Sequence, residues 1–157
     1  MQSMDVKINI EFSEYPKLCR ENLLSLIKEP NTKIHDSHPK KVNILFNYPL
    51  QKDFIFTLEQ ETPITYKNLV EFIKNKYIEI YNMERETASN QTWTLPDGEI
   101  FVGKILPIEL RIKKGGLRNR HRTNGIYGIW GHDFEDLVLE VIEYNIAENL
   151  ITMFIGS

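Results

Sequence analysis

The chain has 157 residues, 41% hydrophobic and 26% charged, with a formal net charge of -3, a size that folds as one domain whose core needs no metal or disulfide staple. One cysteine, Cys19, excludes an internal disulfide framework and fits a reducing compartment. No apolar run reaches the roughly 18 residues of a membrane span, and the first residues lack the pattern of a secretory leader, so an intracellular, cytoplasmic protein with no membrane partner is expected.

Residues 5–12, DVKINIEF, alternate with Val6, Ile8 and Ile10 on one face and predict a strand. YPKLCRENLLSLIKEP spaces Leu18, Cys19, Leu23, Leu26 and Ile27 at helical intervals, with Pro16 in the first turn and Pro30 beyond the end, and predicts a helix. The polar NTKIHDSHPK then reads as a linker, so that residues 1–40 form an N-terminal strand-helix unit. From Lys41 the alternation sharpens. KVNILFN turns Val42, Ile44 and Phe46 to one side, and DFIFTLEQ does the same with Phe54, Phe56 and Leu58, which predicts a hairpin. Thr65 is a good N-cap, with Ile64 and Leu69 placed as a hydrophobic staple. Tyr66, Leu69, Val70, Ile73, Tyr77, Ile80 and Tyr81 make one apolar stripe, predicting a helix over residues 65–83. EIFVGKILPIELRIKK supplies two further short strands, around Phe101 and around Leu110 and Ile112; LVLEVIEYN and NLITMFIGS read as a C-terminal hairpin. The fold class implied is α+β, a mixed sheet packed on one long helix.

FTLEQETPITYKNLVEFIKNKY, EIFVGK and IELRIKKGG resemble the second strand and helix, the short strand and the last strand of ubiquitin-like β-grasp domains, over residues 41–116. That resemblance implies a β-grasp-like core and a protein partner. It also raises cleavage after Gly115 and Gly116, against which stand the apolar strands that follow; a turn is expected there. GIYGIWGHDFEDLVLE is similar to uncharacterised proteins of amoebal giant viruses and protists, which would place the chain in a host cytoplasm or a virion. Residues 117–157 then form a Gly/Arg loop and hairpin packed on the same core, and the apolar final strand offers a route to a homodimer.

Four of the six arginines, Arg111, Arg118, Arg120 and Arg122, fall within twelve residues, although Lys outnumbers Arg 13 to 6 in the whole chain. Such guanidinium groups match phosphate oxygens, with Tyr127 and Trp130 near enough to stack on bases. Equally, residues 123–157 carry six acids and no Lys or Arg, so the run can pair with its own C-terminal hairpin. GIYGIWGHD repeats glycine every third residue, a shaped loop in which the two aromatics either plug the core or face a ligand. It lacks the features of a Walker or dinucleotide loop. His132 with Asp133 and Asp136 could ligate a metal or act as an acid-base pair, yet capping of a turn accounts for the same residues, and nothing places His121 beside them. His35, Asp36 and His38 have metal-like spacing but too few ligands for structural zinc. Cys19 reads as an inert apolar thiol. With no complete catalytic set and no cofactor motif, the leading expectation is a non-enzymatic protein-interaction module; the alternative is a nucleic-acid-binding protein using Arg118, Arg120, Arg122, Tyr127 and Trp130, with His132 at the margin.

Overall fold

KVNILF forms a strand because every second side chain, Val42, Ile44 and Phe46, can be withdrawn completely from water on one face. In the computed structural model, which describes residues 5–94, 98–105 and 122–157, this is β2 (Lys41–Phe46). Its hairpin partner β3 (Phe54–Glu59) sets Leu58 opposite Val42, Phe56 opposite Ile44 and Phe54 opposite Phe46. The apolar sets of both strands therefore share a face. Against that face packs α1 (Tyr66–Thr87), through Leu69, Val70, Ile73, Tyr77 and Ile80, with Tyr77 tilted 5.1 Å from Phe46.

The helix begins where it does because its first amides all find acceptors. Thr65 Oγ1 accepts from Asn68 N (3.2 Å) while Asn68 Oδ1 accepts from Thr65 N (3.1 Å), a reciprocal capping box. Tyr66 N donates to Thr32 O (2.8 Å) and Lys67 N to Pro30 O (2.9 Å). The polar stretch expected to be a linker is thus a backbone cap on the helix, and its Ile34 is buried.

Three more elements complete the architecture. β1 (Asp5–Ile8), β6 (Val138–Asn145) and β7 (Leu150–Gly156) join the hairpin in a five-stranded sheet of order β1-β6-β7-β2-β3. Every neighbouring pair is antiparallel except β2 with β7, which run parallel with Asn43 against Leu150 and Ile44 against Ile151. The fold is α+β and β-grasp-like: hairpin, long helix, and a later strand inserted parallel to the first hairpin strand. One hydrophobic cluster draws on Ile8, Leu18 and Ile27 from the N-terminal part, Ile44 and Ile73 from the middle, and Leu137, Ile142 and Ile151 from the end.

Several expectations are corrected. No helix forms between Pro16 and Pro30, only a 3-10 turn, Leu23–Leu26. The amides there are satisfied instead by tertiary pairing: Leu18 N donates to Leu137 O (3.0 Å) and Leu139 N to Pro16 O (3.2 Å), so the buried leucines enter the core from an irregular chain and propensity is overridden. The strand around Phe101 is β5 (Ile100–Gly103), but it pairs with β4 (Gln91–Thr94) in a separate two-stranded sheet. The later strand beside β2 is instead β7, which with β6 offers a longer alternating apolar face: Ile142, Tyr144, Ile151 and Met153 are all buried. The expected strand around Leu110 and Ile112, and the turn at Gly115 and Gly116, lie outside the described residues. Finally, β7 is an interior strand between β6 and β2, so dimerisation by pairing on its edge has no open edge to use over the stretch that faces β2.

Candidate functional site

The apolar stripe of α1 ends in a carboxylate. Glu84 follows Tyr77, Ile80 and Tyr81 on the same face and is 1% exposed, a position that demands partners because an unpaired buried charge is costly. The glycine-rich segment supplies them. Glu84 Oε2 accepts from Thr123 Oγ1 (2.5 Å), Gly125 N (2.8 Å) and Gly128 N (3.1 Å), and Oε1 accepts from Tyr127 N (2.9 Å). Thr123 closes the turn around the carboxylate: its amide donates to Ile129 O (2.8 Å) and its hydroxyl accepts from Ile129 N (3.0 Å). Glycine is required at two of these places. A Cβ on Gly125 would press into the Glu84 carboxylate and the Thr87 hydroxyl, and Gly128 has φ +62.

The loop's far side is tied down by tyrosines. Tyr77 donates to Tyr48 O (2.7 Å) and Tyr81 to His132 O (3.0 Å). Burial, above all, pushes both phenols well above their ordinary range, Tyr81 being raised further by Tyr77 and the carboxylates of Asp133, Asp136 and Glu135. The Tyr48 hydroxyl bonds to His132 Nε2 (2.9 Å) and to Ser157 Oγ (3.1 Å). Tyr48 thus bridges the imidazole and the serine hydroxyl. A cavity of about 150 Å³ lies alongside, lined among others by Tyr81, Glu84, Arg85, Ile129, His132 and Phe134.

Of the residues singled out in the sequence, Arg111, Arg118, Arg120 and His121 lie outside the described residues. Arg122 is exposed and forms an antiparallel bridge with Trp130, which is 38% exposed. Tyr127 points the other way: it is 7% exposed and its ring meets Phe54 edge-on at 4.7 Å, so it cannot also stack on a base. Of the two aromatics, Tyr127 is the one that plugs the core. His132 is half-buried against Tyr48. Asp133 and Asp136 form the capping box of a 3-10 turn, Phe134–Asp136, with Asp133 N donating to Asp136 Oδ2 (3.1 Å). His35 Nδ1 accepts from Ser37 N (3.0 Å), and its ring packs edge-on against Tyr144. Cys19 is half-buried, its sulfur 3.9 Å from Glu135 O. Among the described residues no three His, Cys, Asp or Glu side chains are grouped to hold a metal ion, and no helix is long and apolar enough to cross a membrane.

Glu84 is the residue that pattern reading passed over. Its signal is present: it continues the helical stripe at i+3 from Tyr81 and i+4 from Ile80, on an otherwise apolar face. Comparison with protein-family models, with curated proteins and with solved structures finds no match to this chain.

Proposed function

We propose that the chain is a non-enzymatic, intracellular protein-interaction module, and that its protein partner docks on the sheet face turned away from α1. The observation that carries this reading is two apolar pairs on that face, each with one strongly exposed member. Phe154 on β7 is 60% exposed and Ile55 on β3 is 58% exposed; Val141 stands directly opposite Phe154, and Leu45 directly opposite Ile55. Small polar side chains flank the second pair: Thr152 stands beside Leu45, and Asn43 and Thr57 form the next pair along, with Thr57 Oγ1 donating to Asn43 Oδ1 (2.7 Å). Apolar side chains gathered on one open face and spaced by hydrogen-bonding groups suit a protein interface. The resemblance of the second hairpin strand and the helix, FTLEQETPITYKNLVEFIKNKY, to ubiquitin-like domains supports the same reading.

The test is capture from the native source followed by titration of the captured protein against purified chain. Phe154→Glu should weaken that binding by about 2 kcal/mol or more while leaving the unfolding midpoint in place. Equal affinity of both forms would remove the sheet face from the interface.

A second reading, nucleic-acid binding, is favoured by the exposed Trp130 beside the exposed Arg122. On that reading Trp130→Ala weakens binding to single-stranded RNA by about 1 to 3 kcal/mol, and Arg122→Ala lowers the slope of log affinity against log salt by about one. Undetectable RNA binding at physiological salt would dispose of it.

A further inference from the structure

Residues 124 and 125 are Asn-Gly, and no other asparagine in the chain is followed by glycine. In this dipeptide a chain attacks itself most readily, because glycine puts no Cβ in the way of its own nitrogen. Gly125 N, having lost its proton to hydroxide, bonds to Asn124 Cγ and closes a five-membered imide. The bond from Cγ to Nδ2 breaks, and Nδ2 takes up a proton and leaves as ammonia. Water then opens the imide. Cleavage between Cγ and the nitrogen leaves aspartate at position 124; cleavage at the backbone carbonyl leaves isoaspartate, whose main chain runs on through Cβ and Cγ and is one carbon longer.

The fold occupies both reacting groups. Gly125 N donates to Glu84 Oε2 (2.8 Å), and an amide bonded to a buried anion gives up its proton less readily. Asn124 Oδ1 accepts from Ser89 N (2.8 Å), and Asn124 Nδ2 donates to Ser89 Oγ (2.8 Å). A backbone N–H can only donate, so the oxygen and nitrogen of this side chain are assigned by their partners, and its carbonyl is held toward the end of α1. The residues that follow are bound to the same turn of the helix: Ile126 N donates to Thr87 Oγ1 (3.1 Å), and Tyr127 N and Gly128 N to Glu84. Because a Cβ on Gly125 would press into the Glu84 carboxylate, the close approach that builds the loop also keeps the reactive pair in it.

Protection of this kind lasts only while the loop is closed. Ser89, Asn124 and Ile126 are all exposed, and the bonds that hold the loop end on the terminal turn of a helix, a place from which chains open without unfolding the core. Each opening frees Gly125 N and Asn124 Cγ together. Isoaspartate then changes the geometry for good: with an extra backbone carbon ahead of it, Gly125 N is displaced from Glu84, and the amides of residues 125–128 no longer meet their acceptors in step. Aspartate does not have this effect, since its carboxylate still accepts from Ser89 N.

We infer that Asn124–Gly125 is a self-modification site gated by Glu84: the closed loop keeps the asparagine intact, the open loop converts it to isoaspartate, and the product frees the segment that presents Trp130. Water is the only co-reactant. The site goes beyond the interaction-module reading and does not depend on it.

The test incubates the full chain in mildly alkaline buffer, folded and in urea, and follows the peptide containing Asn124 by mass spectrometry, with isoaspartate resolved from aspartate by fragmentation. Asp97–Gly98 can isomerise as well, but without the mass gain of an amide becoming an acid. The folded chain should convert at Asn124 about tenfold or more slowly than the unfolded chain, and the ratio of the two rates should match the open fraction read from hydrogen exchange at the Gly125 amide. Glu84→Gln, which sets a donor against Tyr127 N, should speed conversion of the folded chain about tenfold. Ser89→Ala removes one bond to Asn124 at an exposed position, leaves the core untouched, and should speed it about threefold. The isolated isoaspartate form should lose exchange protection at Gly125, Tyr127 and Gly128, whereas Asn124→Asp should keep it. Equal rates in folded and unfolded chain, a folded rate that neither variant changes, or an isoaspartate form with those three amides still protected would each overturn the inference.

Discussion

Replacing Glu84 with alanine tests whether one side chain folds the loop. Three amides and one hydroxyl converge on the carboxylate at 2.5 to 3.1 Å. A buried donor left without an acceptor costs about 1 to 3 kcal/mol, so four of them set an upper figure of roughly 4 to 12 kcal/mol. Two effects reduce it. Alanine removes the several-kcal/mol cost of burying a charge, and the released loop can turn its amides to water. A net loss of about 2 to 4 kcal/mol remains, within the range for breaking a buried polar network. Glu84→Gln is the finer probe: with its carbonyl oxygen facing the three donors at Oε2, its NH₂ confronts Tyr127 N, donor against donor, for a loss of about 1 to 3 kcal/mol. Urea unfolding gives the magnitude, and hydrogen exchange at Gly125, Tyr127 and Gly128 gives the location. An alanine variant with an unchanged midpoint and those three amides still protected would refute the reasoning.

Gly128→Ala places an L side chain at φ +62 with its Cβ 2.7 Å from the Gln51 side chain; because that neighbour is a movable amide end, backbone strain dominates and about 1 to 2 kcal/mol should be lost in denaturant unfolding. Ile73→Ala empties a site that is wholly buried between α1 and the sheet, for a loss of about 2 to 5 kcal/mol in the same assay; no change would mean the stripe is not core. Tyr77 and Tyr81 have phenols held above their ordinary value by burial, so the native state keeps protons that the unfolded chain releases near pH 10, and stability that is complete below that pH falls as pH rises beyond it. Unfolding free energies that stay level from pH 9 to about 11.5 would contradict this, and Tyr77→Phe should make the alkaline fall shallower.

The parts legible in the sequence are those whose signal is local. Alternation through Val42, Ile44 and Phe46 and through Phe54, Phe56 and Leu58 locates the hairpin, and Thr65 with the Leu69–Ile73–Tyr77–Ile80 stripe locates the helix. Beyond this, local pattern misleads. The intervals between Leu18, Leu23, Leu26 and Ile27 are helical, yet any chain path that buries all four satisfies the same apolar requirement, and here the chain finds its hydrogen bonds along Leu137 and Leu139. Nor does any local pattern say that Ile151 will lie beside Ile44. The apolarity of residues 150–155 shows that this strand must be covered, not by what. The competing strand at Ile100–Gly103 is shorter, with Ile100 and Val102 left exposed, and so makes a poorer centre for the sheet.

At the candidate site, sequence shows the glycines and aromatics but not the carboxylate that arranges them. A turn from Thr123 to Ile129 that directs several amides inward needs an acceptor with many lone pairs in a small volume. A carboxylate, with about four acceptor positions, matches the four donors present, whereas an apolar residue on the same stripe would leave them orphaned. The placement of the aromatics follows. With Gly125, Tyr127 and Gly128 fixed by Glu84, the Tyr127 ring falls against Phe54, and Trp130 emerges beside Arg122, its amide donating to Pro49 O (3.2 Å). Any recognition that Trp130 performs therefore depends on a buried residue at the end of α1, so a change at Glu84 should alter how the indole is presented without touching the surface that carries it.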